Sequence, residues 1–301
     1  MESFFSPGKL LLTSEYVVLD GALALAIPTK WGQQLWSEEK SDSKSLVYWE
    51  AYHQDVLWLR CEIDYASWQV KSTSNKEASL FVMDVLKLVQ KSSSRVLQDN
   101  CSYHLKTNLE FPSDYGLGSS STLMNNLARW ADIDAFALND QALGGSGYDI
   151  AVAKENHSLL FQIQGSKKEV QPIDLNFNFK NELLFIHLNQ KQNSREGIKH
   201  YRNKPISTNL VAKFTDITKK IVISETLEEF SKFINLHEDL LSAHLELDTA
   251  RKLYFSDCPT FVKSLGAWGG DFVISAKFEG YQSYFQHRGF STIFEWSDLI
   301  G

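Results

Sequence analysis

The chain has 301 residues, 43% of them hydrophobic, which suffices for two modest domains that each bury a core and makes a globular enzyme the default class. A formal net charge of -7 leaves no basic stripe to neutralise a phosphate backbone, so a nucleic-acid partner is excluded. No apolar run approaches ~18 residues and no basic, then apolar leader opens the chain, so a cytoplasmic protein without a membrane partner is expected.

In chain order, residues 3–36 read as two or three apolar strands interrupted at Pro7-Gly8 and at the strong turn signal Asp20-Gly21. Residues 37–45 are rich in lysine and glutamate and read as a surface connection, after which 47–63 return to aromatic, strand-like sequence. Leu80, Phe81, Val85, Leu88 and Val89 predict a helix over 78–89. Residues 101–111 alternate, with Cys101, Tyr103, Leu105, Thr107, Leu109 and Phe111 on one face, as a half-buried strand does. Strands are predicted at 159–164, 183–188, 272–277 and 291–296, and helices near 134, 209–222, 226–245 and 281–287. A polar, turn-rich stretch at 171–180 places a domain junction near residue 170. Helices over an antiparallel or mixed sheet fit this order. Cys61, Cys101 and Cys258 are too few and scattered for a disulfide framework and read as reduced, buried thiols.

The most informative stretch is Pro112-Ser113-Asp114-Tyr115-Gly116-Leu117-Gly118-Ser119-Ser120-Ser121, which joins the strand at 101–111 to a helix marked by Leu123, Leu127 and Trp130. Its serines fall at the helix N-terminus, where backbone N–H groups lack intrahelical partners and an anion fits. It lacks the lysine of a GxxxxGK[ST] loop, so a P-loop reading is discarded. A dinucleotide fingerprint fails less clearly, since Asp132 and Asp134 stand roughly the expected ~20 residues on but just past the helix. A serine-rich helix cap without ligand is the competing reading. An anionic substrate would need a locally positive cleft, for which Lys9, Lys106, Lys191, Arg195 and Lys263 are the candidates.

With its companions in order, this stretch identifies a family. The chain resembles the GHMP small-molecule kinases, named for galactokinase, homoserine, mevalonate and phosphomevalonate kinases. Ser6-Pro7-Gly8-Lys9-Leu10-Leu11-Leu12-Thr13-Ser14-Glu15-Tyr16-Val17-Val18-Leu19 is similar to the first family motif, and Pro112 through Ser121 matches the second. Gly147-Tyr148-Asp149 falls where the family carries an aspartate, and Lys263-Ser264-Leu265-Gly266-Ala267-Trp268-Gly269-Gly270-Asp271 is close to the third motif. The matches span residues 6–271 and look most like the mevalonate and phosphomevalonate branch.

The resemblance implies an α+β fold of two domains: residues 1–170 as an ATP-binding, ribosomal-protein-S5-like N-terminal domain, and 171–301 as a ferredoxin-like C-terminal domain. It implies ATP and Mg2+ as cofactors and a small-molecule acceptor, in a monomer or homodimer. The loop residues Pro112, Gly116, Leu117, Gly118, Ser119, Ser120 and Ser121 would hold the ATP phosphates, with the Ser120 hydroxyl on Mg2+. Asp149 would take or orient the acceptor's proton, and Lys9 would stabilise the transferred charge. Glu15, Ser194, Arg195, Gly266, Ala267, Trp268 and Gly269 would line the acceptor. A structural ion pair for Glu15 and a plain helix cap for Ser194 explain the same residues. His237 and His244 read as helix-face residues without a metal.

Three departures stand out. Ser14 and Trp268 occupy positions where the family has glycine, and Leu138 stands where mevalonate kinases carry a second, acidic Mg2+ ligand. These departures keep open a different class, a nucleotide-binding sensor or regulatory protein that has lost turnover.

Overall fold

The computed structural model describes residues 1–98, 100–190 and 194–300, with the side chains of residues 194 and 195 outside the description. The chain falls into two compact units that interleave along the sequence. One comprises Met1–Gly8, Trp31–Ser113 and Leu117–Asn156, and the other Lys9–Lys30, Asp114–Gly116 and His157–Gly301. Two strands, β1 (Glu2–Leu11) and β2 (Ala24–Ser41), contribute to both.

In the first unit follow β3 (Leu46–His53), β4 (Val56–Asp64), β5 (Gln69–Thr73), α1 (Lys76–Ser92), β6 (Cys101–Leu109), α2 (Ser119–Ala131), α3 (Ala135–Ala142) and α4 (Tyr148–Glu155). The strand order is β5-β4-β3-β6-β2, antiparallel except for the β3–β6 pair. Alternation decides the faces. Leu35, Val47, Trp49, Cys61, Ile63, Tyr103 and Leu105 point inward, onto Val85, Leu86 and Val89 of α1 and Met124, Leu127 and Trp130 of α2. The hairpin between β3 and β4 turns at Gln54 and Asp55, both at positive φ (48° and 64°), the backbone that a two-residue turn of the right twist demands.

The second unit continues with β7 (Leu159–Gln164), β8 (Lys167–Pro172), β9 (Leu183–His187), α5 (Ser194–Arg202), α6 (Thr208–Val222), α7 (Leu227–Leu245), α8 (Ala250–Tyr254), β10 (Val262–Leu265), β11 (Phe272–Ala276), α9 (Tyr281–His287), β12 (Ile293–Glu295) and α10 (Trp296–Leu299). The first residues of β2 pair with β7, which forms a hairpin with β8. A separate antiparallel sheet has the order β10-β11-β9-β12 and buries Leu184, Ile186 and Val273 against Phe255 and Phe285. Phe214 of α6 and Leu241 and Leu245 of α7 close over Tyr16 and Val17. Among the described residues no helix is long and apolar enough to cross a membrane.

Two expectations are corrected. Strand β1 runs unbroken through Pro7-Gly8, because its ladder partner is β2 alone and a proline without an N–H is tolerated on an edge. Residues 37–41 belong to β2 and not to a surface connection. Their pairing with β6 down to Ser41 opposite Cys101 overrides their polar composition, and Ser37 is buried among them. The short elements β5, β8, β10, α8 and α10 were not legible in the sequence, and β8 covers the start of the stretch expected as turn. Cys61 and Cys258 are buried free thiols, whereas Cys101 is only partly buried and lies 3.4 Å from a Glu39 carboxylate oxygen.

Candidate active site

Beyond β6 the chain turns through Gly116 (φ 67°) and Gly118 (φ 85°), left-handed conformations that glycine adopts without a Cβ penalty. Gly118 is the N-cap of α2 and supplies no side-chain cap. The first bond within the helix runs from Thr122 N–H to the Gly118 carbonyl at 3.0 Å, so the amides of Ser119, Ser120 and Ser121 precede the intrahelical ladder. The three serines then divide. Ser121 is buried and its hydroxyl donates back to the Gly118 carbonyl at 2.8 Å, while Thr122 Oγ1 bonds to the Ser119 carbonyl and to Gln33 Oε1, each at 2.9 Å. Ser119 is half-buried and Ser120 exposed, and neither hydroxyl has a hydrogen-bond partner among the described residues. Leu117 is fully buried and pins the turn, and Pro112 opens it, half-buried.

Two side chains from distant sequence meet Gly116. Lys9, inside β1 and only 9% exposed, donates from Nζ to the Gly116 carbonyl at 2.8 Å. The Asp271 carboxylate lies against Gly116 on another side. A Cβ built at Gly116 would stand 2.3 Å from Asp271 Oδ2, and one at Gly266 3.2 Å from the same atom. Asp271 is buried at φ 54°, its N–H donating to the Gln190 carbonyl (2.9 Å) and its carbonyl accepting from Leu188 N–H (2.8 Å). Sequence reasoning took Asp271 as the end of a motif and missed it as a site residue, although its place after Gly269-Gly270 was a signal.

Behind these residues lies a buried polar cluster. Glu15, 2% exposed, is ion-paired with Lys263, which is fully buried and also donates to the Ser264 carbonyl at 2.7 Å. This corrects one expectation, since Lys263 is not available to a cleft, and of the two readings of Glu15 it matches the structural ion pair. Burial raises the Glu15 carboxyl above its ordinary range, with Lys263 opposing. Ser14, where the family has glycine, sits at φ 63°, and its hydroxyl repays the strain by donating to the Leu23 carbonyl at 2.7 Å. Its N–H donates to His237 Nε2 at 2.7 Å. That nitrogen is therefore an acceptor, so its 3.4 Å approach to Glu15 Oε2 is no donated bond. Burial, then the charge of Lys263, hold His237 well below the usual imidazole range. Its neighbour Glu238 is raised to about 7 by burial, with Lys263 and the Ser264 N–H opposing. His237 is thus a core residue of this cluster, deeper than the helix face expected of it.

Trp268 is tied at both nitrogens. Its backbone N–H donates to the Tyr16 hydroxyl at 2.9 Å and its indole Nε1–H to the Asp248 carbonyl at 3.0 Å. The ring packs on the cluster of Tyr16, Val17, Tyr201, Phe214, Leu241 and Leu245. The remainder of the loop bends at Gly266 (φ 77°) and Gly269 (φ 80°), and Ala267 is buried.

Asp149 stands in the first turn of α4, whose N-cap is Gly147 at φ 88°. It is half-buried, and its Oδ1 accepts the Ile150 N–H at 3.0 Å. Ser194 begins α5, but the side chains of Ser194 and Arg195 lie outside the described residues, as does Lys191. Lys106 lies on the outer face of the first unit's sheet, over the rings of Trp36 and Tyr52. A groove of about 480 Å³ there is lined by Trp36, Tyr48, Glu50, Arg60, His104 and Lys106 and contains none of the expected nucleotide-loop residues.

For Mg2+ the donor set is sparse. Among the described residues no group of three His, Cys, Asp or Glu is placed to hold a metal, and Leu138 is buried in the core. The exposed Ser120 hydroxyl suits an ion that keeps several waters and arrives on phosphate oxygens.

No family model matches the chain, and no curated protein is significantly similar to it in sequence. Solved structures do match along its whole length. Phosphomevalonate kinase from Streptococcus pneumoniae, in complex with phosphomevalonate and AMPPNP, superimposes with a TM-score of 0.71 at 15% identity, covering 98% of this chain and 100% of that one. Mevalonate kinase from Methanococcus jannaschii gives 0.70 at 13%, covering 97% and 96%. Galactokinase from Lactococcus lactis, complexed with galactose, gives 0.67 at 16%, covering 98% and 92%. The chain has the fold of the GHMP kinases.

Proposed function

We propose that a protein with this fold is an ATP-dependent small-molecule kinase that transfers the γ-phosphoryl group to a mevalonate-like or phosphomevalonate-like acceptor. The observation that carries the reading is the uncapped N-terminus of α2, entered through Gly116-Leu117-Gly118 with Lys9 bonded to the same turn. Unpaired amides and a helix dipole favour bound phosphate. In phosphoryl transfer the protein mainly positions the reactants and neutralises charge. The amides of Ser119, Ser120 and Ser121 would cradle the ATP phosphates, and Ser120 would hold the Mg2+ that they carry. The ion supplies charge neutralisation when bound. Lys9 would face the transferred group, Asp149 would accept or orient the acceptor's proton, and the loop from Gly266 to Gly269 with Ser194 and Arg195 would line the acceptor. In this reading residues 1–170 form the S5-like, ATP-binding domain and 171–301 the ferredoxin-like one.

The acceptor's chemistry turns on charge. A phosphate acceptor is largely anionic at pH 7, its second pKa being about 6, and needs cations more than a base. Lys263, one of few candidate cations, is neutralised by Glu15, which favours a hydroxyl acceptor served by Asp149. The sensor reading draws on Leu138, which offers no carboxylate for a second metal bond. Acceptor-dependent ADP release, measured with mevalonate, phosphomevalonate, homoserine and galactose, separates the two. The kinase reading expects turnover with one of them. Tight Mg·ATP binding with no turnover on any would favour the sensor.

A further inference from the structure

Tyr16 is the central residue of a tight turn that few large side chains occupy. Its φ of 62° and ψ of -44°, with Val17 N–H donating to the Glu15 carbonyl at 2.7 Å, make a three-residue γ-turn of the rare, strained hand. An aromatic residue persists at such a backbone only where its surroundings hold it, and strain of this kind concentrates at functional sites. The turn sends the Tyr16 side chain to two segments distant in sequence, both within the second unit. Its hydroxyl accepts the Trp268 N–H at 2.9 Å, in the loop between β10 and β11. Its ring stacks on Tyr201 of α5 with centroids 5.8 Å apart, and the Tyr201 hydroxyl donates to Asp20 Oδ2 at 2.6 Å, four residues beyond Tyr16 itself. Gly197, also on α5, comes so close that a Cβ there would stand 2.4 Å from the Tyr16 hydroxyl oxygen and 3.0 Å from two of its ring carbons. Glycine lowers helix stability relative to alanine, and inside α5 the Tyr16 side chain accounts for its presence.

We infer that Tyr16 is a positioning residue for the acceptor: one side chain fixes the loop at Trp268 through its hydroxyl and seats α5 against Gly197. The two held segments are those assigned above to the acceptor, the loop from Gly266 to Gly269 and the start of α5, so the inference rests on the kinase reading for what they line. The hold itself does not depend on that reading. The loop has two further anchors, each independent of the Tyr16 hydroxyl. The Trp268 indole donates to the Asp248 carbonyl at 3.0 Å, and Asp271 is fastened through its N–H to the Gln190 carbonyl and through its carbonyl to the Leu188 N–H. Loss of the hydroxyl therefore frees the loop at Ala267 and Trp268 while Asp271 stays beside Gly116. Lys9 likewise keeps its bond to the Gly116 carbonyl, so nucleotide binding should not follow the change.

Tyr16→Phe removes the hydroxyl and keeps the ring. Amide hydrogen exchange on the full chain should show protection lower by about fivefold in peptides covering residues 265–271, the equivalent of one neutral hydrogen bond, and unchanged in peptides of β6 and α2. The acceptor KM should rise about 2–10-fold, with kcat and the Mg·ATP Kd within about twofold of wild type. A hydroxyl that served stability alone would lower protection across the whole chain and leave the acceptor KM in place. Gly197→Ala, ordinarily a stabilising change inside a helix, should instead lower protection in peptides covering residues 196–202 and 265–271. That fall should be smaller in the Tyr16→Phe background, where the colliding oxygen is gone. If Tyr16→Phe does not fold, the sign of the Gly197→Ala change decides by itself. Unchanged loop protection in Tyr16→Phe, a fall spread evenly over the chain, a Mg·ATP Kd that moves with the acceptor KM, or a stabilising Gly197→Ala would each overturn the inference. Absence of turnover on every acceptor would count against the kinase reading, while the exchange measurements decide the hold separately.

Discussion

Replacing Lys263 by methionine removes the cation from a fully buried pair and leaves Glu15, 2% exposed, with no opposite charge beside it. Breaking a buried pair from one side costs about 3–5 kcal/mol, because the remaining charge is uncompensated. Against a total of about 5–15 kcal/mol that loss is large, and it should move the urea midpoint by more than 1 M for a slope of about 1–3 kcal/mol per M. The pH dependence follows from the raised Glu15 carboxyl, which loses its opposing Lys263 in the variant. Below the ordinary carboxylate range Glu15 is protonated in both folded and unfolded states and the charge penalty is absent; it grows as pH rises toward the folded value. The deficit should therefore be greater at pH 8 than at pH 4. Glu15→Gln in the same chain should restore part of the loss, since both charges are then gone. A deficit under about 1 kcal/mol at pH 7, the same deficit at both pH values, or strict additivity of the two substitutions would mean that Lys263 does not compensate the Glu15 charge.

Gly116→Ala should abolish Mg·ATP binding measured by calorimetry while α2 remains folded by circular dichroism, since the new methyl would collide with the Asp271 carboxylate at a backbone of φ 67°. Ser120→Ala and Ser121→Ala should part company. The first should weaken the Mg2+ dependence of nucleotide binding with little change in thermal midpoint. The second should lower stability by about 0.5–1.5 kcal/mol through its lost bond to the Gly118 carbonyl.

The entry to α2 was legible in more detail than the pairing of the strands. The turn at 112–121 was legible because strand alternation up to Phe111, two glycines and a serine run must place amides at a helix start, and the structure has them there. Helices α6, α7 and α9 were legible from periodicity, and fell within a residue or so of expectation. What was not legible depended on partners distant in sequence. Ser37 is in a strand because β6 pairs with it, and a polar window cannot announce that. Lys263 read as a cation for a cleft because nothing local tells that Glu15 will neutralise it in the interior. Trp268 read as a departure from glycine beside the acceptor; it is fastened to Asp248 and Tyr16 and packs with α7, which supplies contacts that a glycine lacks. Ser14 and Asp271 hold left-handed backbones that glycine usually takes, each stabilised by hydrogen bonds that only the folded chain provides.

If the chain transfers phosphate with Asp149 at the acceptor, Asp149→Asn should separate from wild type on the acceptor that supports ADP release. Single-turnover rates and the Mg·ATP dissociation constant should be measured on the same preparations. The rate should be lower by about 10²–10⁴-fold, the usual contribution of a positioned general base, with nucleotide affinity unchanged within about twofold. Equal rates in the two proteins would contradict that role.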